Sequence, residues 1–266
     1  MISTQLIQDS LREGWSAFKI RPWPIISMMA GLGALWVILQ ASVASIFGEK
    51  SWQSNFIGII SQFLFVIFYP GFQAYMLKAV RREGPDWMDF FWGWKHPVRV
   101  FVADILSSLP LLVAILVGGL ALGLVNVLGV PDSLMFVKYA TFGVLGAALV
   151  WVLGYFGIRL NQWSLLLIDK NVTALESVKQ SWALMRGQTM NFFVLLVIAA
   201  LINCLGALAL FVGIFISIPF SLGAFAAFYV KVSQGKLTSQ GGLKSDNNEN
   251  PQKIPKKSLH FPKNLT

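Results

Sequence analysis

The chain of 266 residues is 56% hydrophobic and only 12% charged, whereas a soluble domain carries about 25% charged residues. This composition excludes an ordinary soluble fold and predicts an all-α polytopic transmembrane bundle in one compact domain. The net charge of +9 would suit a nucleic-acid partner. However, the cations lie beside hydrophobic segments, where the positive-inside bias accounts for them. We therefore expect membrane lipids, and no nucleic acid, as partners.

Six apolar segments are long enough to cross a hydrocarbon layer, which needs about 20 residues per helix. One run without a charged residue or histidine, 192–230, has 39 residues, so we divide it into a hairpin. Gly206 and Gly213 supply flexible turn positions, and Pro219 suits a kink near the start of the returning helix. The predicted spans are 24–47, 54–77, 100–128, 136–158, 191–211 and 213–231.

The uneven distribution of Lys and Arg between the connections predicts the orientation of the chain. The N-terminal segment, the second connection, the fourth connection and the C-terminal segment hold three, five, four and seven of them, which is 19 of 21. Only Lys50 and Lys138 fall on the other side. We expect both termini in the cytoplasm. The C-terminal segment 233–266, rich in Gly, Ser, Asn, Gln, Pro and Lys, is predicted to be a disordered basic tail.

The connections on the basic side are predicted to include amphipathic helices at the membrane surface. Apolar residues recur at helical spacing from Ile7 to Phe18, which favours an interfacial helix. Residues 173–176 have the sequence of a capping box before a second such helix. Aromatic residues beside basic ones are typical of the membrane interface, and the candidates are Trp15, Trp92, Trp94 and Trp182.

Three segments resemble one another and predict an internal repeat. Ser10-Leu-Arg-Glu-Gly-Trp15 aligns with Ser177-Val-Lys-Gln-Ser-Trp182, and Phe91 precedes Lys95 at the spacing of Trp15 and Lys19. The second and sixth spans end at identical intervals, with Phe72, Ala74 and Lys78 against Phe225, Ala227 and Lys231. We infer three degenerate units, each an interfacial helix followed by a hairpin. The alternative is coincidence among aromatic-rich membrane segments.

Few polar side chains lie within the spans. Asp104 is the one acidic residue there, and acids inside membranes are functional candidates because their insertion is costly. Asp104 falls about one turn inside the basic side, within reach of Arg159, so we favour a structural Asp104–Arg159 pair. A proton or substrate site and solvation at the interface are the alternatives. Asn203 is predicted to hydrogen-bond between helices rather than to contact a ligand.

Glycine pairs and metal-ligand types carry weaker signals. Close helix packing, with a dimer face as the alternative, is predicted at Gly119, Gly123, Gly143 and Gly146. Cys204 is the only cysteine, and His96 and His260 belong to no cluster with metal-ligand spacing. The sequence has no P-loop, nucleophile elbow or HExxH motif. We expect no catalytic residue, no cofactor and no metal.

The third unit resembles a known family. The residues that carry the resemblance are Ala174-Leu-Glu-Ser-Val-Lys-Gln-Ser-Trp182, Met185-Arg-Gly187, Phe192-Phe193, Ile202-Asn203, Leu205-Gly206, Val212-Gly213, Pro219 and Tyr229. They are similar to uncharacterised bacterial multi-span proteins related to the membrane domain found beside some glycerophosphoryl diester phosphodiesterases. The resemblance implies a six-helix protein of the bacterial inner membrane. It implies no phosphodiesterase activity, because this chain has no catalytic phosphodiesterase domain.

Two functions from different classes are compatible with these patterns. The first is a non-enzymatic integral membrane protein that organises lipids or partner proteins from the cytoplasmic face, partner proteins including other membrane proteins or further copies of the chain. The alternative is a small transporter or channel for an apolar or amphipathic solute, which should have polar groups or broken helices at a shared site. Convergence of Asp104, Asn203 and Pro219 on one cavity would favour the transporter. A lipid-modifying enzyme lacks candidate catalytic groups.

Fusions at two positions test the orientation. A fluorescent protein that matures only in the cytoplasm, fused after residue 232, should give fluorescent cells, because the flanking lysines resist translocation. Alkaline phosphatase, which is active only outside the cytoplasm, should be active when inserted within 48–51. Cells without fluorescence from the first fusion, together with inactive phosphatase in the second, would contradict the orientation.

Overall fold

The computed structural model describes residues 2–47, 52–127, 135–209 and 213–245, and within these ranges the chain is helical and has no strand. Its compact part covers 1–232. One order of elements occurs three times, namely one or two short helical segments followed by a hairpin of two long helices. The short segments lie at one end of the bundle, which we call the basic end.

The three units have the following elements. The first consists of α1 (Thr4–Ile20), α2 (Pro22–Phe47) and α3 (Trp52–Arg81). The second consists of a 3-10 turn (Trp87–Phe91), α4 (Trp92–Lys95), α5 (Pro97–Val127) and α6 (Met135–Leu160). The third consists of α7 (Trp163–Lys170), α8 (Ala174–Leu184), α9 (Thr189–Leu208) and α10 (Ile214–Ser245).

The six predicted spans are confirmed. In the described part of the chain, six helices are long and apolar enough to cross a membrane, so the protein is an all-α, multi-pass membrane bundle. The helix bounds differ from the predicted spans by a few residues, except that α10 continues to Ser245 into the segment predicted to be disordered. Extending an existing helix avoids the cost of nucleation. Residues 246–266, Lys50 and the turn at 210–212 lie outside the described residues.

Two of the interfacial helices begin with side-chain caps. The Ser3 hydroxyl accepts a hydrogen bond from the Leu6 backbone N–H at 3.4 Å at the start of α1. The Thr173 hydroxyl accepts one from the Glu176 N–H at 3.4 Å at the start of α8. The predicted capping box is only half formed there, because the Glu176 carboxylate accepts a hydrogen bond from the Gln180 side chain at 2.9 Å. These caps satisfy backbone donors that a helix leaves free at its first turn.

The core of the bundle lies around α3 and α10. In their membrane-spanning windows, 50% and 61% of the residues are buried, against 6% for α2 and 11% for α5 and for the span that contains α6. The large buried side chains are Tyr75 and Met76 of α3, Phe228 and Tyr229 of α10, and Phe192 of α9. The other long helices therefore direct most of their apolar surface away from the protein, as expected for helices surrounded by lipid.

Short helical segments pack on the second long helix of another unit's hairpin. A Cβ built on Gly14 of α1 would lie 2.7 Å from the Ala224 Cα of α10 and 2.8 Å from the Gly223 carbonyl carbon. A Cβ built on Gly71 of α3 would lie 2.9 Å from the Cα of Phe90 in the 3-10 turn. The predicted repeat aligns Gly14 with Phe90 and Ala224 with Gly71, so the two contacts are equivalent.

Two ion pairs repeat in the same way. The Lys78 Nζ of α3 lies 2.5 Å from the Asp89 carboxylate of the 3-10 turn. The Lys231 Nζ of α10 lies 2.7 Å from the Glu13 carboxylate of α1. Lys78 aligns with Lys231 and Asp89 with Glu13, so a second equivalent contact supports the predicted repeat. Since α1 packs on α10, the three units form a closed ring.

The third junction joins α8 to α6 through a hydroxyl group. Ser181 is fully buried, and its Oγ donates a hydrogen bond to the Arg159 carbonyl at 2.9 Å. Next to it, the Trp182 ring packs on Phe156 of α6 with 5.5 Å between centroids. The corresponding Trp15 of α1 packs on Phe220 of α10 at 5.8 Å. An aromatic contact thus accompanies this junction as well.

The predicted close packing at four glycines is wrong for this chain. A Cβ built on any of Gly119, Gly123, Gly143 and Gly146 would meet no atom of the described residues within 4 Å. Spacing of small residues shows that they share a helix face, but it does not show that another helix lies on that face. Close backbone contact occurs at Gly206 and Gly213, where the Cβ of the first would lie 2.9 Å from the carbonyl carbon of the second. A dimer face remains a prediction.

Substitution of Gly14 by Ala tests the contact between α1 and α10. The added methyl group would overlap the backbone at Ala224, so we expect the stability of the detergent-solubilised protein to fall by about 1–3 kcal/mol. Gly31→Ala in α2 is the matched control, since its Cβ would meet no described atom within 4 Å and Ala favours a helix. Equal thermal midpoints for the two variants would contradict the close packing.

Candidate functional site

Arg159 does not pair with Asp104, so the predicted pair is wrong. No ion pair among the described residues involves either side chain. The guanidinium carbon lies instead 4.5 Å from the centre of the Trp182 ring and 4.8 Å from that of Tyr155. The junction between α8 and α6 brings Trp182 to this position, and a cation–π contact holds the guanidinium there. A proton or substrate role of Asp104 stays a prediction.

Asn203 hydrogen-bonds between helices, in agreement with its predicted packing role. Its amide nitrogen lies 3.3 Å from the Ser221 hydroxyl of α10, and that hydroxyl also donates to the Ser217 carbonyl at 2.8 Å. Such interhelical bonds average about 0.6 kcal/mol in membrane proteins. Asn203 thus helps to hold the α9–α10 hairpin closed.

The predicted interfacial aromatic residues divide into an exposed pair and a more buried pair. Trp15 and Trp94 are 41% and 45% exposed, and Trp94 packs on Phe68 of α3 at 5.7 Å. Trp92 is half-buried against the His96 ring at 5.0 Å, and Trp182 is half-buried beneath Arg159. The first pair is placed as aromatic side chains at a membrane interface are.

A largely buried carboxylate connects three helices at the basic end. Asp169 of α7 lies 2.6 Å from the Arg81 Nη1 of α3, and it accepts a hydrogen bond from the Tyr229 hydroxyl of α10 at 2.7 Å. The Asp169 side chain is 15% exposed, and Tyr229 is fully buried. The arrangement joins the end of the first hairpin to both the beginning and the end of the third unit.

A second polar chain lies deeper in the bundle. The Ser164 hydroxyl of α7 donates to the Gln73 side-chain oxygen at 2.7 Å, and the Gln73 amide nitrogen donates to the Tyr69 hydroxyl at 2.6 Å. Gln73 and Ser164 are both buried. In the described chain, the buried side-chain amide of neighbouring Gln162 has no hydrogen-bond partner. These two hydrogen bonds join α3 to α7, the same two helices that the Asp169–Arg81 contact joins.

Little in the sequence predicts this network. Asp169 directly follows four apolar residues, 165–168, and an acid at the end of such a run needs a partner if it is buried. Nothing in the sequence identifies Arg81 or Tyr229 as that partner, because the contacts depend on how the hairpins are arranged. Asp86 and Asp89 of the basic end are structural as well, since they form a capping box on the 3-10 turn. No group that could hold a metal ion occurs among the described residues.

Two apolar cavities lie between the long helices. One, of about 440 Å³, lies between α2 and α3, and the other, of about 590 Å³, lies between α5 and α6. Their linings include none of Asp104, Asn203 and Pro219, so these three residues do not converge on either cavity. Each cavity is a groove within the membrane-spanning part of a hairpin.

Replacing Asp169 by Asn should lower the stability of the detergent-solubilised protein by up to about 3 kcal/mol, because it leaves Arg81 without its partner. Asp104→Asn is the control, since no ion pair is lost there, and its yield and thermal midpoint should stay close to those of the parent. The measurement is the folded fraction after size-exclusion chromatography on heating. A larger loss for Asp104→Asn than for Asp169→Asn would contradict both assignments.

A scan against protein-family models, a search of curated proteins and a search of solved structures each found no match to the chain. The relation of the third unit to the membrane domain of some phosphodiesterases therefore stays a prediction.

Proposed function

We propose that the chain is a non-enzymatic integral protein of a bacterial inner membrane, with both termini in the cytoplasm, that organises lipids at the cytoplasmic face. The observation that carries this proposal is that two of the hairpins hold apolar grooves at membrane depth, while the charged side chains that form ion pairs lie at the basic end. The resemblance of the third unit to bacterial membrane domains agrees with the proposed location.

The outward surfaces of the spans favour contact with lipid tails. Along α5, Val113, Leu116 and Val117 are each more than half exposed, and α6 presents Val150 and Trp151 in the same way. Such surfaces are stable only in an apolar environment or against another apolar surface. Membrane lipids supply that environment, and a protein partner or a second copy of the chain is the other occupant that the surfaces permit.

The basic end favours contact with lipid headgroups. Exposed Trp15 and Trp94 lie there, together with the cations that flank the spans. Each Lys or Arg near an anionic membrane surface contributes about 1 kcal/mol of attraction. A protein with apolar grooves at membrane depth and cations at the membrane surface can therefore give particular lipids a longer residence time beside it than lipids have in the bulk bilayer.

The transporter alternative has less support from the geometry. A solute path needs polar groups exposed at mid-depth, but Asn203 is bonded to Ser221. The Tyr69–Gln73–Ser164 chain is internally hydrogen-bonded. Asp104 lines neither groove.

Reconstitution in vesicles of phosphatidylethanolamine and phosphatidylglycerol tests the proposal. Spin-labelled lipid should show a motionally restricted fraction that grows with protein content, and labelled phosphatidylglycerol should be restricted more than labelled phosphatidylcholine because of the basic end. An entrapped amphipathic dye should not leave the vesicles faster than from protein-free vesicles. Saturable dye efflux with no headgroup preference would overturn the proposal in favour of the transporter.

A further inference from the structure

We propose that the groove between α5 and α6 together with Arg159 is a binding site for one glycerophospholipid, with an acyl chain in the groove and the phosphodiester on the guanidinium. This inference deepens the proposed function and rests on it. It places at one site in the fold the lipid binding that the outward surface as a whole indicates.

The groove suits a flexible hydrocarbon chain. Its volume of about 590 Å³ is within the usual range for small-molecule sites. Apolar side chains line it from both helices, among them Leu109, Val113 and Val117 of α5 and Leu149, Val152 and Phe156 of α6. These residues fall within spans that cross the membrane. Since the groove opens at that depth, lipid tails surround it and are the apolar ligand at highest concentration.

Arg159 lies just beyond the basic end of this groove. It follows Val152 by seven residues and Phe156 by three, so all three share one face of α6. Three residues of helix correspond to a rise of about 4.5 Å. The Phe156 ring, which lines the groove, packs on Trp182, and Trp182 in turn supports the guanidinium. A ligand that leaves the groove at this end therefore meets the guanidinium.

The guanidinium is held in place but has no anionic partner. Tyr155 and Trp182 contact it through their ring faces, which leaves its N–H edges as donors. No carboxylate of the described residues forms an ion pair with it, and its half-buried side chain has a buried Nε with no hydrogen-bond partner. Arginine binds phosphate oxygens through two parallel N–H bonds. Charge complementarity thus favours a phospholipid over a neutral lipid.

Each of the other two hairpins lacks at least one of the two features of the proposed site, which are an open groove and an unpaired cation at a helix end. At the α2–α3 groove, the helix-end cation Lys78 is paired with Asp89 and is not free for a phosphate. The α9–α10 hairpin is joined by the Gly206–Gly213 contact and by the Asn203–Ser221 hydrogen bond. Among the hairpins of the described chain, an open groove and an unpaired helix-end cation occur together in the second unit.

Native mass spectrometry of the full chain, stripped of lipid in detergent and titrated with dioleoyl phosphatidylglycerol, tests the site. Arg159→Gln should weaken retention of the first bound lipid by about tenfold or more, because it removes the charge-assisted hydrogen bonds to the phosphate. Ala148→Trp, which fills the groove, should weaken it similarly. Arg159→Lys should recover part of the affinity, since it keeps the charge but not the bidentate geometry.

Two controls match these variants. Arg186→Gln removes an exposed cation of the same side, and Ala147→Trp places the same bulk on α6 at an exposed position that does not line the groove. Both should leave retention of the first lipid unchanged. Thermal midpoints show whether each variant is folded. The backbone contact from Ser181 to the Arg159 carbonyl survives every substitution at Arg159.

Two further ligands distinguish the contribution of the acyl chains from that of the phosphate. Dioleoylglycerol, which lacks phosphate, and glycerol 3-phosphate, which lacks acyl chains, should each bind more weakly than phosphatidylglycerol. Equal binding of glycerol 3-phosphate would overturn the lipid site in favour of a soluble anion site. If the parent protein retains phosphatidylglycerol and the Arg159 and Ala148 variants match their controls, the site is refuted while the proposed function stands. If the parent protein retains no lipid, both fail.

Discussion

Hydrocarbon offers no hydrogen-bonding partner to the protein, and this constraint determines where polar side chains lie in the bundle. Within the spans, many hydroxyl and amide groups bond to the backbone or to one another, as Asn203 and Ser221 do. The charged side chains that form ion pairs meet at the basic end, where Asp169 connects Arg81 and Tyr229. These ion pairs join the helices at that end. Farther into the membrane, apolar residues of α5 and α6 line a groove.

The junctions between units combine close backbone packing with charge. Gly14 and Gly71 permit one segment to lie directly on the next, and the pairs Glu13–Lys231 and Asp89–Lys78 fix the alignment. In the third junction a serine hydroxyl replaces the glycine contact, and the helix-end cation contacts rings rather than a carboxylate. This departure from the repeat leaves Arg159 available to a phosphate, which is why the proposed lipid site belongs to the second hairpin.

The spans and their class could be predicted from the sequence because each depends on local composition and length. Likewise, the repeat could be predicted from the sequence because residues that make equivalent contacts in two units, such as Lys78 and Lys231, occupy matching positions in the aligned segments. The prediction of an Asp104–Arg159 pair was wrong because two helix ends at the same depth in the membrane need not face each other. The positions of the two residues within their spans indicate only their depth. The Asp169 network could not be predicted, since its members come from three helices whose arrangement is a tertiary property.

The ring closes between parts of the chain that are far apart in sequence. The backbone N–H of Ser3 donates to the Asn191 side chain at 2.8 Å, across 188 positions, and α1 buries Ile7, Ala17 and Phe18 in the same region. During synthesis α1 leaves the ribosome well before its partners α9 and α10. Its apolar stripe therefore needs another apolar environment, which the bilayer surface supplies, until that hairpin has been inserted.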